Sequence, residues 1–172
     1  TTDGKLSIGF LNAVTAKAYA YIKNNNSTRK EVISPLTNYN VISLSQQLLN
    51  DYSSVSFLNT NINRSSGFNS NAYAIVFDLF DDKRNFNLKS NIFSSYTPRF
   101  SDTKGFRGQV QLSELRGKFR YTLGWTGVDK YYNQNELGFY NSRDIQGYRA
   151  FLRYRIEKEN KILRSYSNYL SI

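Results

Sequence analysis

The chain has 172 residues, of which 40% are hydrophobic and 16% aromatic, and its formal net charge is +10. No run approaches the roughly 18 apolar residues of a membrane helix, so a helical membrane protein is excluded. The 0 Cys argue against a disulfide-stapled module, and the 0 His exclude Ser-His or Cys-His nucleophiles and most zinc or iron sites. We therefore expect no enzyme, no cofactor and no metal.

Alternating polar and apolar residues predict about nine β-strands. Their predicted positions are 5–22, 38–49, 52–62, 71–80, 85–96, 106–115, 118–128, 145–157 and a last strand that runs to Ile172. The clearest begins at Lys118, because Phe119, Tyr121, Leu123 and Trp125 all point to one side of an extended chain. The Ala-rich end of the first strand is the weakest of these predictions, since it also suits a helix.

The predicted connections alternate between long and short. Residues 23–37, 63–70, 97–105 and 129–144 form the long ones. The short ones are Asn50 with Asp51, the charged tetrad 81–84, Arg116 with Gly117, and 158–160. Asn50, Asp51 and Gly117 suit the left-handed backbone of tight turns. Tight turns at one end and long loops at the other are typical of outer-membrane barrels.

These features predict an all-β fold, an antiparallel up-and-down transmembrane β-barrel that forms one domain over residues 1–172. The 14 Tyr agree with it, since Tyr suits membrane interfaces. Bacterial barrels close with an even number of strands, so we expect a portion of a larger barrel, or a small barrel of eight or ten strands. The 0 Met and the lack of a signal peptide also suggest a mature or internal fragment.

A soluble lipocalin-like barrel or β-sandwich has the same alternation, with its apolar residues facing inward. Alternation alone does not distinguish the two. The strand lengths, the connection lengths and the abundance of Tyr favour the membrane.

Five arginines alternate with apolar residues and are the predicted basic lining of the lumen: Arg107, Arg120, Arg149, Arg153 and Arg155. Such a lining attracts anionic solutes, as charged rings do in selective pores. The alternative, which we favour, is mutual solvation with Asp and Glu across a filled interior. A nucleic-acid partner is not expected, because the basic residues do not cluster with base-stacking aromatic residues.

The longest connection carries the outer-loop aromatic candidates, which are Tyr131, Tyr132, Phe139 and Tyr140. Aromatic rings on loops stack against sugars or pack on partner proteins with little loss of entropy. The alternative, which we favour, places them in the aromatic girdle of the outer membrane interface.

Three segments carry a family resemblance: Ile8–Thr15 (IGFLNAVT), Pro35–Val41 (PLTNYNV) and Glu136–Ile145 (ELGFYNSRDI). In content and order they resemble consecutive barrel hairpins of the DUF5916 domain family, outer-membrane proteins of Bacteroidota without assigned function. The resemblance implies an amino-terminal carbohydrate-binding module ahead of the barrel, which this chain lacks, and hence a link to glycan handling. It implies no catalytic residues.

We therefore expect a non-enzymatic outer-membrane barrel of a Gram-negative bacterium that serves structure, transport or an envelope complex. Its expected partners are the lipid bilayer or lipopolysaccharide and other outer-membrane or periplasmic proteins. A TonB-dependent transporter barrel is one alternative, and a soluble β-barrel or sandwich that binds an anionic or carbohydrate ligand is another. An outer-membrane lipase ranks third because the chain has 0 His.

Overall fold

The computed structural model describes residues 5–24, 27–98, 104–133, 143–156 and 166–171. Eleven strands lie within these ranges: β1 (Leu6–Thr15), β2 (Ala18–Asn24), β3 (Ser27–Ser34), β4 (Thr37–Gln47), β5 (Ser54–Arg64), β6 (Ser70–Phe80), β7 (Phe86–Tyr96), β8 (Lys104–Glu114), β9 (Phe119–Val128), β10 (Ile145–Ile156) and β11 (Tyr166–Ser171). The all-β prediction is confirmed. No helix in the described ranges meets the length and apolarity required to cross a membrane.

Nine of the described strands form one antiparallel sheet in the order β1-β4-β5-β6-β7-β8-β9-β10-β11. Apart from the step from β1 to β4, each strand pairs with the next strand along the chain, which is the predicted up-and-down order. Within the described residues the sheet is open, and β1 and β11 are its edges.

The segment between β1 and β4 corrects the sequence prediction. The first strand ends at Thr15 instead of continuing to Ile22. Strand β2, which covers the end of that predicted strand, pairs with β3, which lies in the predicted connection 23–37, and the two form a separate hairpin. The cause is local β-propensity, since Tyr19 pairs directly with Val32. The Lys30 ammonium also lies 3.8 Å from the centre of the Tyr19 ring, which adds a cation–π contact.

The turns agree with the sequence only in part. Gly117 has a φ of 95°, as predicted for the turn between β8 and β9. The two-residue turn at Asn50 and Asp51 is wrong, because β4 and β5 are joined by residues 48–53 and Leu49 takes the left-handed backbone. Asn50 instead uses its side chain, which accepts from the Tyr52 N–H at 3.1 Å and donates to the Phe80 carbonyl at 2.8 Å.

Strict alternation of long and short connections is also wrong. The β5–β6 connection, predicted to be long, spans only residues 65–69 and is no longer than the β4–β5 connection. The β9–β10 connection, residues 129–144, is long as predicted. The last predicted turn, residues 158–160, lies outside the described ranges.

The paired residues divide the nine-stranded sheet into two faces. We call the first the apolar face; its large side chains include Ile8, Phe10, Ile42, Leu44, Val55, Phe57, Tyr73, Ile75, Phe77, Leu79, Leu88, Ile92, Val110, Leu112, Leu123, Trp125, Tyr148 and Leu152. The second is the polar face, which includes Ser43, Ser45, Ser54, Ser56, Asp78, Lys89, Asn91, Arg107, Gln109, Gln111, Thr122, Thr126, Arg149 and Arg153.

The polar face is the more buried of the two, which is the reverse of the arrangement in a soluble protein. Every buried strand residue lies on the polar face: Thr37, Ile62, Ser70, Ala74, Asn87, Ser95, Gly105, Ser113 and Val128. On the apolar face, Ile92 is 47% exposed, Leu123 46% and Tyr148 77%. Among the described residues, the polar face also carries three exposed large hydrophobic side chains, Leu11, Leu58 and Ile145. Side chains are therefore packed more closely on the polar face, while most large apolar side chains are exposed on the opposite face.

Candidate functional site

The five predicted arginines share the polar face. Arg107 is in β8, Arg120 is in β9 directly opposite Arg153 in β10, and Arg149 and Arg155 are also in β10. Arg107 and Arg149 line a concavity of about 460 Å³. Arg120 and Arg155 line a smaller one of about 260 Å³ beside Gly117. That the arginines line a lumen stays a prediction.

The larger concavity has a floor of glycine. One row of directly paired residues runs across four strands from Lys89 through Gln111 and Gly124 to Arg149. A Cβ atom at Gly124 would come no closer than 3.8 Å to its neighbours, and one at Gly147 would meet nothing within 4 Å. Because Gly124 and Gly147 have no side chains, the space above the sheet between Gln111 and Arg149 stays empty of protein atoms from these two residues.

Cations dominate the charge at this concavity. In the described strands of the main sheet, Asp78 is the one carboxylate on the polar face. Its Oδ2 lies 3.5 Å from the Lys89 ammonium, and its Oδ1 accepts from the Asn87 amide at 2.6 Å. The Arg107 guanidinium lies 5.2 Å from the centre of the Phe93 ring, within the range of a cation–π contact.

Neutral hydrogen-bonding groups surround the cations. The Gln109 amide donates to the Thr126 hydroxyl at 3.5 Å, and the Gln111 amide donates to the Ser113 hydroxyl at 3.3 Å. Within the described part of the chain, no group of three or more His, Cys, Asp or Glu side chains is arranged to hold a metal ion. The arrangement suits the attraction of anions through charge-assisted hydrogen bonds.

Sequence reasoning found Arg107 and Arg149 but missed Lys89, the glutamines and the glycine floor. The alternation of residues indicates which face each side chain takes. The missing signal is register, because Gly124 and Arg149 become neighbours only when β9 and β10 pair at that position.

The outer-loop aromatic residues do not form one exposed cluster. Tyr131 is 48% exposed, whereas Tyr132 is 2% exposed and lies against Gly105, so its ring is not available to stack on a sugar. A hydrogen bond with Tyr131 raises the pKa of the exposed Lys130. Phe139 and Tyr140 lie outside the described residues.

Asp129 fixes the start of this loop. Its Oδ1 accepts from the backbone N–H groups of Tyr131 at 2.7 Å and Tyr132 at 2.8 Å. Its Oδ2 accepts from the N–H of Phe106 at 2.7 Å. The loop after β9 is thereby held against the beginning of β8.

The fold and the site define a class: antiparallel β-proteins with a crowded, basic polar face and an exposed apolar face. The full chain, residues 1–172, matches the family model described as a domain of unknown function, DUF5916. The chain belongs to this family, which confirms the resemblance read from its three segments. Comparison with curated proteins gave no match, and comparison with solved structures gave none.

Proposed function

We propose that this sheet is part of the wall of an outer-membrane β-barrel, with its apolar face against lipid and its polar face toward the interior. In this role the chain is a non-enzymatic component of transport, envelope structure or an envelope complex. The observation that carries the proposal is the oblique band that the exposed apolar residues form across the sheet.

The band lies at different heights on β4 and β10. In β4 the large apolar residues of this face are Ile42 and Leu44, centred on position 43. The row of paired residues through Ser43 reaches Ile145 in β10. The apolar run of β10 extends from Tyr148 to Tyr154 and is centred on position 151, six residues farther along after six steps between strands.

A drift of one residue per strand has a geometric meaning. It moves the band about 3.3 Å along the strands for every 4.8 Å or so across the sheet, which corresponds to a tilt of about 35°. Strands of outer-membrane barrels are tilted by roughly 35–45° to the membrane normal. A flat slab of hydrocarbon would therefore contact this slanted band on all of the strands at once.

The margin of the band also suits a membrane. Where the apolar residues of β4, β5 and β6 end, one row of asparagines crosses these strands and β1: Asn12, Asn40, Asn61 and Asn71. Amide side chains belong in the polar interface rather than in hydrocarbon. The change from Ile42 to Asn40 along β4 is thus the expected edge of the lipid-facing zone.

A soluble sandwich would cover the apolar face with a second layer. In the described residues, β2 and β3 contact each other and no strand of the main sheet. The exposed apolar side chains extend over neighbouring strands, and such large continuous patches usually mark a surface that meets a membrane or a partner.

The test compares neighbouring residues on opposite faces. The chain has 0 Cys, so spin labels can be placed on Leu123→Cys and Ile92→Cys on the apolar face, with Thr122→Cys and Asn91→Cys as matched polar-face controls. In isolated outer membranes we expect the first pair to be accessible to oxygen but not to a water-soluble nickel chelate. The controls should lack this lipid signature.

The same experiment identifies a covered sheet. If labels at 92 and 123 are shielded from both oxygen and nickel, the apolar face packs against protein and the membrane proposal fails. Recovery of the protein in the soluble fraction, without a heat-dependent shift on gels, would contradict it independently.

A further inference from the structure

We propose that the concavity between Lys89, Arg107 and Arg149 binds a compact polyanion, a solute bearing two or more phosphate or carboxylate groups. This inference deepens the proposed function, on which it rests for the assignment of the polar face to the barrel interior. It names the class of solute that this face holds, and binding to it is measurable apart from membrane insertion.

The first support is that the three cations surround a space that no side chain of the glycine floor fills. Lys89 and Arg149 stand at opposite ends of one row, with Gln111 and Gly124 between them. Arg107 lies four residues from Gln111 along β8, on the same face and nearer the loop that follows β9. The glycine floor keeps the space between these side chains free for a ligand instead of filling it with protein.

The second support is the unequal balance of charge. Asp78 accepts from Asn87 and lies beside Lys89, so it offsets part of one of the three cations. Asp78 belongs to the same row as Arg149 but is separated from it by Lys89, Gln111 and Gly124. Arg107 and Arg149 both line the concavity. Because a guanidinium presents a fork of N–H donors, it binds carboxylate or phosphate oxygens in pairs. Two such forks favour a ligand with at least two anionic groups.

The third support is size and composition. The volume of about 460 Å³ falls within the range of roughly 300–1,000 Å³ that is usual for small-molecule sites. The side chains of Asn91, Gln109 and Thr122 also line the concavity and supply neutral donors and acceptors to the rest of the ligand.

The polar face of the earlier strands provides a contrast within the same sheet. In β4 and β5 it presents the small, uncharged Ser43, Ser45, Ser54 and Ser56, and the cation of this face in these two strands is Arg64 at the end of β5. A general requirement for a wet interior would be met by such residues alone. The cations that line the concavity are instead Lys89 in β7, Arg107 in β8 and Arg149 in β10, and the glycine floor lies in β9 and β10.

Binding is tested by calorimetry on the detergent-purified protein with pyrophosphate and citrate as probes, and with glucose as the neutral comparison. We expect Arg107→Gln and Arg149→Gln each to weaken polyanion binding by about tenfold, the scale of one lost charge-assisted contact. Arg155→Gln, which removes the same charge from the same face six residues away, is the matched control and should change the affinity less than about twofold.

A second variant separates a local site from a general positive field. Gly147→Val fills the floor without removing charge, and its Cβ meets no neighbour within 4 Å, so the fold should tolerate it. We expect it to weaken binding as the arginine variants do. Equal losses in Arg149→Gln and Arg155→Gln, with full binding in Gly147→Val, would overturn the site in favour of diffuse attraction.

The outcomes for the two proposals are distinguishable. If neither probe binds while spin labels at 92 and 123 report lipid, the membrane proposal stands and the anion site is wrong. If the probes bind with the expected variant pattern while the labels report protein contact, the site stands and the membrane proposal is wrong.

Discussion

The two halves of the main sheet use the same backbone ladder but hold their side chains together differently. Strands β1, β4, β5 and β6 are linked near their loop ends by asparagine amides, whereas β8 and β9 have glycines that aromatic residues approach closely. The first arrangement consists of separate local contacts. The second depends on the missing Cβ atom of particular glycines, because a neighbouring group occupies that space.

The amide contacts of the first half join neighbouring strands in pairs. The Asn12 amide donates to the side-chain oxygens of Asn38 at 2.5 Å and Asn40 at 2.7 Å. The Asn59 amide donates to the Asn71 oxygen at 2.8 Å. Each of these hydrogen bonds is exposed or partly buried, so the removal of one should lower the free energy of unfolding only slightly.

Close approach dominates the second half. A Cβ at Gly127 would lie 2.5 Å from the Trp125 ring, and one at Gly108 would lie 3.0 Å from it. A Cβ at Gly105 would lie 2.2 Å from the Cα of Tyr132. A ring at the surface can turn away, but backbone cannot move without moving its loop. Single substitutions should therefore have larger effects in the second half than in the first.

Gly105→Ala should have the largest effect. The added methyl overlaps the backbone of Tyr131 and Tyr132 and must displace the loop, at a cost of about 3 kcal/mol in the free energy of unfolding. Thermal and denaturant unfolding followed by circular dichroism measure it. Gly147→Ala is the control, since its Cβ lies in open space and should cost little. Equal stability of the two variants would show that the loop does not dock on Gly105.

Asp129→Ala should have the next largest effect. It removes the carboxylate that accepts from the N–H groups of Phe106, Tyr131 and Tyr132, and we expect a loss of about 2 kcal/mol. Faster amide hydrogen exchange at Tyr132 should accompany the loss. Asp129→Asn retains one acceptor oxygen and should lose less. Unchanged exchange in Asp129→Ala would contradict the role of the carboxylate in fixing this loop.

The sequence predicts strands well where residues alternate and less well where turns decide the path. The strand at residues 118–128 was predicted to within one residue, because Phe119, Tyr121, Leu123 and Trp125 alternate without interruption. The β2–β3 hairpin was missed, since the Ala-rich end of the first predicted strand hides the break before Ala18. The Asn50 turn was wrong because Leu49, instead of Asn50 or Asp51, takes the left-handed backbone, while the Asn50 side chain adds hydrogen bonds of its own.

The candidate site was predictable only as a list of residues on one face. Alternation placed Arg107 and Arg149 on the same side of the sheet. It did not reveal that Gly124 separates Arg149 from Gln111, because that depends on pairing between three strands. The burial of Tyr132 was equally hidden, since its neighbour Gly105 lies far away in the sequence.

Asn40→Ala tests the weaker coupling of the first half. Asn12 loses one of its two amide acceptors and keeps Asn38, so we expect a loss of only about 1 kcal/mol. A double-mutant cycle with Asn12→Ala measures the contact itself, and the two losses should not add. Strictly additive losses would mean that the Asn12–Asn40 hydrogen bond contributes nothing.

Asp51→Asn should have the smallest effect, and its sign depends on pH. A hydrogen bond and the charge of Lys5 lower the pKa of the exposed Asp51 below its ordinary value of 3.8. The contact therefore adds stability above pH 3.8 and loses it as the pH falls through the lower pKa of the folded state. The melting temperature of the unsubstituted protein should exceed that of Asp51→Asn slightly at pH 6, and the difference should disappear toward about pH 2. Salt at about 1 M should also reduce this difference in melting temperature, since both partners are exposed.

A difference in melting temperature that grew as the pH fell would require Asp51 to be stabilised in its protonated form, and the turn between β4 and β5 would then be held by contacts other than the Lys5 ion pair.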